Sequence, residues 1–135
     1  MSEPANSQKP TVRRAIIVVL ACYWLGAFIS THIPLPDLGD FPDQSDKLAH
    51  FSIYAGLAYL LGLYLLSKRP LRLRHYSIVF GVAVIYAIID ELLQVPVHRD
   101  AEFLDGLADA LGALTGLGLL AITQRVFLRR WNRAT

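Results

Sequence analysis

Four long apolar stretches, at 15–33, 48–67, 76–97 and 106–124, constrain this chain more than any other feature. Each is close to the roughly 20 residues that an α-helix needs to cross about 30 Å of hydrocarbon at about 1.5 Å per residue. Four such helices in 135 residues leave too little polar surface for a water-soluble fold. Composition agrees: 54% of the residues are hydrophobic and 18% charged, where soluble domains have roughly 45–50% and 25%. Inside a bilayer every backbone polar group must be bonded internally, which helices achieve alone. The expected fold class is therefore all-α, a four-transmembrane-helix bundle over 13–128. A disordered cytoplasmic lead is expected at 1–12 and a basic cytoplasmic tail at 129–135.

The placement of charge orients the bundle. Lys9, Arg13 and Arg14 precede the first stretch, Lys68, Arg69, Arg72 and Arg74 fill the second connection, and Arg125, Arg129, Arg130 and Arg133 follow the fourth. Of the 13 basic residues only Lys47 and Arg99 lie on the opposite side. Cytoplasmic loops retain Lys and Arg, so the expected orientation is N-in and C-in, with the remaining two connections outside. The acidic residues do the reverse. All 11 except Glu3 fall in the outer loops or the outer helix halves. Acidic residues weigh little in orientation, so their asymmetry points to function instead.

A cleaved leader and a nucleic-acid surface both fit less well than membrane spans. Arg13-Arg14 followed by Val19-Leu20-Ala21-Cys22 faintly resembles a lipoprotein signal, but the chain stays apolar through Tyr23-Trp24-Leu25-Gly26-Ala27-Phe28. An uncleaved anchor fits better. Cys22 is the single cysteine, so neither a disulfide framework nor a cysteine metal site can form within the chain. The basic patches flank membrane spans, which accounts for them without nucleic acid.

Ionisable residues inside the spans carry the functional signal. An Asp at mid-span costs about 2.5–3.5 kcal/mol on insertion scales, so it is rarely kept without a partner or a purpose. Here the polar residues fall in helical register. Asp46, His50 and Tyr54 share one face of the second helix, and Tyr86, Asp90 and Gln94 one face of the third. Asp105 and Asp109 share a face of the fourth, continued inward by Gly112 and Gly116. Depth sorts them into an upper layer of His50, Gln94 and Asp105, with Asp46 above it, and a deeper layer of Tyr54, Asp90 and Asp109. Neighbouring residues point about 100° apart, so Asp90 and Glu91 cannot both face the same partner.

The ligand-binding candidates are therefore Asp46, His50, Tyr54, Asp90, Glu91, Gln94, Arg99, Asp105 and Asp109. His50, Asp90, Glu91 and Asp109 are the candidates for catalysis. Plainer roles also suit several of the polar residues. Tyr54 and Tyr86 suit interfacial or core packing, and Asp105 suits an N-terminal cap. The span from Gly112 to Gly116 reads as a close helix–helix contact. Lys47, Asp100 and Glu102 read as solvated loop charges.

The run Ser45-Asp46-Lys47-Leu48-Ala49-His50-Phe51, then Tyr54, then Tyr86 through Gln94 with the Asp90-Glu91 pair, resembles the VanZ-like family of small bacterial membrane proteins. So do Arg99 and the stretch from Asp105 through Asp109 to Ala113, and the likeness covers about 45–118. The first helix matches only as a generic span. Asp109 stands where the family pattern often has Asn, which adds a carboxyl group to be protonated, paired with Arg99 or His50, or bound to a cation. The resemblance implies an envelope role in a bacterial inner membrane, and a link to low-level teicoplanin resistance in the member that names the family.

Two functions compete. In the first, an outward-facing polar pocket engages a lipid head group, a lipid-linked envelope precursor or another amphiphile. In the second, the chain is a membrane-embedded enzyme, with His50 and Asp90 or Asp109 in general acid–base work or holding a divalent cation that activates water. Neither an HExxH run nor a nucleophile elbow names a reaction. No cofactor is required by the sequence, although a divalent cation fits it. Transport along the carboxylates fits poorly, because they occupy only the outer half. The expected partners are the lipid bilayer and an amphiphilic ligand, with no nucleic acid, and assembly of several copies stays open.

Overall fold

The computed structural model describes residues 8–32, 43–94 and 103–134, with side chains over 11–32, 45–94 and 103–127. It is all-helical: α1 (Gln8–His32), α2 (Asp43–Leu66), α3 (Leu73–Gln94) and α4 (Phe103–Ala134). All four are long and apolar enough to cross a membrane. At about 1.5 Å per residue, the 22 residues of α3 alone span about 33 Å.

The helices run further than the apolar stretches. Residues 8–12, expected to be disordered, are the first turn of α1, and α4 continues to Ala134 through the segment expected as a tail. Once a helix is nucleated, polar residues propagate it into the interface at little cost. The apolar stretches mark the lipid-compatible portion only. The last residues of the expected third helix, 95–97, lie outside the described residues, as do Arg99, Asp100 and Glu102.

α2 and α4 form the closest pair. Their approach is set by small residues: a Cβ at Gly112 would collide with the backbone carbonyl of Phe51, and one at Gly116 with that of Ala55. Phe51 and Ala55 lie one turn apart on α2, as Gly112 and Gly116 do on α4, so the two backbones touch over two turns. Lipid tails are as apolar as Leu, so close packing rather than hydrophobic exclusion holds such helices together. The Gly112-to-Gly116 segment is thus a helix contact. Further along the bundle, Leu120 fills the notch at Gly62.

α1 and α3 complete the bundle. The Tyr23 hydroxyl donates to the carbonyl oxygens of Ile53 (3.0 Å) and Ser52 (3.2 Å), and bare Gly56 makes room for it. The buried face of α3 reads His75, Val79, Ala83, Ala87, Asp90 and Gln94, spaced three or four residues apart. The core is small and apolar through Tyr54, Leu57, Ala58, Val79, Ala83, Ala113, Leu117 and Leu120. Large apolar side chains such as Ile85, Leu92, Leu114 and Ile122 point outward, where lipid rather than water suits them.

The short α2–α3 connection is tied down at the end of the bundle away from the acidic residues. Pro70 cannot continue a helix, and Gln124 of α4 grips Leu71 twice. Its carbonyl accepts from the Leu71 N–H (2.8 Å), and its amide donates to the Leu71 carbonyl (3.1 Å). The Arg72 N–H donates to His75 Nδ1 (2.8 Å), which caps the start of α3.

Candidate functional site

At the opposite end, the close contact of α2 with α4 fixes the position of the polar residues. His50 precedes Phe51, and Asp109 lies nearly one turn before Gly112. The two side chains therefore meet across the seam, with His50 Nδ1 3.0 Å from Asp109 Oδ1. With Asp109 ionised, its oxygen accepts and Nδ1 carries the hydrogen of this bond; with Asp109 protonated, the carboxyl donates to Nδ1. Both residues are almost completely buried, at 2% and 1% exposure.

Glu91 of α3 joins them. Its Oε1 lies 4.0 Å from His50 Nδ1, and one ligand atom from each of His50, Glu91 and Asp109 falls within 4.8 Å of the others. Asp46, His50 and Asp105 form a second group of the same kind toward the helix ends, so His50 belongs to both. The expected two layers are therefore bridged: His50, placed in the upper one, bonds directly to Asp109 in the deeper one.

Tyr54 follows His50 by one turn on the same face of α2. It is 1% exposed and stands within electrostatic reach of Asp90, Asp109, Glu91 and Tyr86. Its ring lies 6.0 Å from that of Tyr86, which meets Trp24 edge-on at 5.0 Å. Among the described residues no hydrogen bond reaches Tyr54 Oη or Asp109 Oδ2, although both atoms are buried. Such orphaned atoms cost about 1–3 kcal/mol each.

Asp90 and Glu91 divide as their 100° offset requires. Glu91 turns to His50 and Asp109. Asp90, also buried, turns to α1 and to its own helix: Thr31 Oγ1 donates to Oδ1 (3.3 Å) and Gln94 Nε2 to Oδ2 (3.2 Å). His32 Nδ1 lies 3.8 Å from Oδ1. Gln94 is thus a partner of Asp90 instead of an independent lining residue.

Lys47 and Asp105 depart from expectation together. Lys47 is no solvated loop charge: it sits in the second turn of α2 with its side chain only 22% exposed and its Nζ 3.9 Å from Asp105 Oδ1. Asp105 lies in the first turn of α4, where an acidic residue suits the helix dipole, but it is buried against α2 as well. α1 is also more than a generic span. Its Thr31 and His32 supply polar neighbours of Asp90, and neither was among the expected site residues. The signal for them in the sequence is their position at the C-terminal end of α1, level with the acidic cluster. Arg99 lies outside the described residues.

An apolar cleft opens beside the cluster, between α3 and α4. It holds about 460 Å³ and is walled by Val84, Ala87, Ile88, Leu92, Leu107 and Ala110, with Glu91 as its charged residue. Phe103 and Gly106 close its end nearest the α4 start. One residue therefore belongs to both the greasy cleft and the His50–Asp109 pair. Chemically, the site offers an imidazole, three carboxyl groups and two phenols in a sheltered space, next to a slot of acyl-chain character.

Compared with known proteins, the chain matches no family model, no curated protein and no solved structure.

Proposed function

We propose that this chain is a VanZ-like envelope protein of the bacterial cytoplasmic membrane that binds an amphiphile at an outward-facing site. The head of a lipid or lipid-linked envelope precursor meets Glu91, His50 and Asp109, and its chain lies along the α3–α4 cleft. The observation that carries this reading is the double membership of Glu91, in the polar group and in the cleft wall. A purely structural polar network has no need of an apolar slot leading to it. The distribution of Lys and Arg supports the N-in, C-in orientation, and the sequence likeness at 45–118 supports the envelope role and its link to teicoplanin resistance.

Photo-crosslinkable lipids in proteoliposomes test this reading. Labelling is expected to concentrate on peptides carrying Leu92 and Leu107, several-fold above the exposed α1 positions Ile17 and Val18. Gly106→Leu, whose Cβ meets no neighbouring atom and whose side chain can extend over the cleft, should abolish the excess. Uniform labelling of all lipid-facing positions would sink the proposal. Fusion reporters at residue 1 and residue 135 check the orientation.

A second reading, catalysis on the bound amphiphile, is favoured by the 3.0 Å contact of His50 with Asp109. A buried imidazole oriented by a carboxylate is a suitable general acid–base. Mass spectrometry of lipids incubated with the wild type and with His50→Gln separates binding from turnover.

A further inference from the structure

We infer that His50, Glu91 and Asp109 form a binding site for one divalent transition-metal ion of the zinc or manganese type. Three helices each contribute one ligand, α2, α3 and α4 in turn, and the ligand atoms already lie within 4.8 Å of one another. Tetrahedral coordination at about 2.0–2.2 Å sets ligand atoms about 3.3–3.6 Å apart. The separations from His50 Nδ1, 3.0 Å to Asp109 and 4.0 Å to Glu91, bracket that range. The ion takes the place of the hydrogen on Nδ1: a doubly protonated imidazole releases it as a proton, and a neutral one carries it on Nε2 instead.

Two further observations point to a ligand at this place. Asp109 Oδ2 is buried in the group without a hydrogen bond, and so is the hydroxyl of Tyr54, one turn below His50 and beside Glu91 and Asp109. Buried polar atoms without partners call for an ion or an ordered water. A cation held by Asp109 with a coordinated water near Tyr54 satisfies both at once. The donor set selects the ion. One imidazole with two carboxylates suits zinc, manganese or iron, whereas magnesium and calcium favour all-oxygen surroundings. Three protein ligands leave coordination positions for water or for an oxygen of an incoming head group. The inference does not depend on the amphiphile reading, because metal binding is measured in detergent without lipid.

The test uses the full chain in detergent, stripped with chelator and equilibrated with Zn²⁺, with bound metal determined by mass spectrometry. One Zn²⁺ per wild-type chain is expected. Asp109→Asn and Glu91→Gln should each weaken binding at least tenfold, while Ser77→Ala, an exposed position at the other end of α3, changes it less than twofold. Binding should also weaken as pH falls, since protons compete for the imidazole. Zinc content in Asp109→Asn and Glu91→Gln equal to wild type overturns the site, as does a Ser77→Ala loss as large as theirs. Should the variants fail to fold, Co²⁺ titration of the wild type decides. A visible absorption band saturating at one equivalent and displaced by Zn²⁺ supports the site, and the lack of a saturable band refutes it.

Discussion

His50 and Asp109, 59 residues apart in the chain, are joined by a 3.0 Å hydrogen bond because two glycines elsewhere on α4 let its backbone touch α2. The bond and the packing are one device. Gly112 and Gly116 set the distance between the helices, and that distance allows a short imidazole–carboxylate contact with no longer side chain to bridge it. Changing either glycine therefore alters the site without touching its chemistry.

Gly112→Ala should be strongly destabilising. Its Cβ meets a backbone carbonyl, which cannot rotate aside as a side chain can. The expected loss is about 1–3 kcal/mol, typical of overpacked cores. Gly118→Ala, whose Cβ meets nothing, should match the wild type or gain up to about 1 kcal/mol from helix propensity. Thermal unfolding in detergent compares the two, and equal stabilities would disprove the packing argument.

The polarity of the His50–Asp109 pair can be read from three substitutions. Asp109→Asn keeps an acceptor for the imidazole and should cost about 0.5–1.5 kcal/mol. Asp109→Leu strands a buried N–H and should cost about 1–3 kcal/mol. Adding His50→Leu to Asp109→Leu removes the stranded group, so the double variant should be more stable than Asp109→Leu alone. Strict additivity in the unfolding measurements would mean the two residues are not coupled.

On α1, Thr31 and Ser30 are adjacent but do different jobs. Ser30 bonds to the Ala27 carbonyl of its own helix, whereas Thr31 also reaches Asp90 on α3. Thr31→Val, nearly isosteric, should cost about 1–3 kcal/mol because the acceptor is a buried carboxyl group. Ser30→Ala should stay within about 0.5 kcal/mol of the wild type. Hydrogen exchange along α1 is the direct measure, with faster exchange expected in Thr31→Val.

Gln124 guards the α2–α3 connection through its two bonds to Leu71. Gln124→Leu leaves the Leu71 backbone to seek water and should loosen residues 67–72. Trypsin, which cuts after Lys68, Arg72 and Arg74 but not at the Arg69–Pro70 bond, reports this in detergent. Cleavage there should accelerate several-fold, and an unchanged rate would show that Pro70 and the helix ends hold the loop unaided.

Much of the fold was legible in the residues. Apolar runs of bilayer length dictate helices, because lipid offers backbone groups no partner outside the helix. Helical register placed His50 with Tyr54 and Asp109 with Gly112, since 3.6 residues per turn is a local property. It also required Asp90 and Glu91 to part, although not which of them would face His50. The helix ends were less legible, as polar residues at 8–12 and beyond 127 extend a helix once apolar neighbours have started it.

What lay beyond the sequence was every relation between helices. That Thr31 and His32 face Asp90, that Lys47 leans on Asp105, and that His50 bridges both acidic groups depends on the rotation and offset of one helix against another. Those quantities are fixed by contacts between residues far apart in the chain, summed over the whole bundle. Periodicity says which residues share a face. Only packing decides which faces meet, and here two glycines against two carbonyls made that decision.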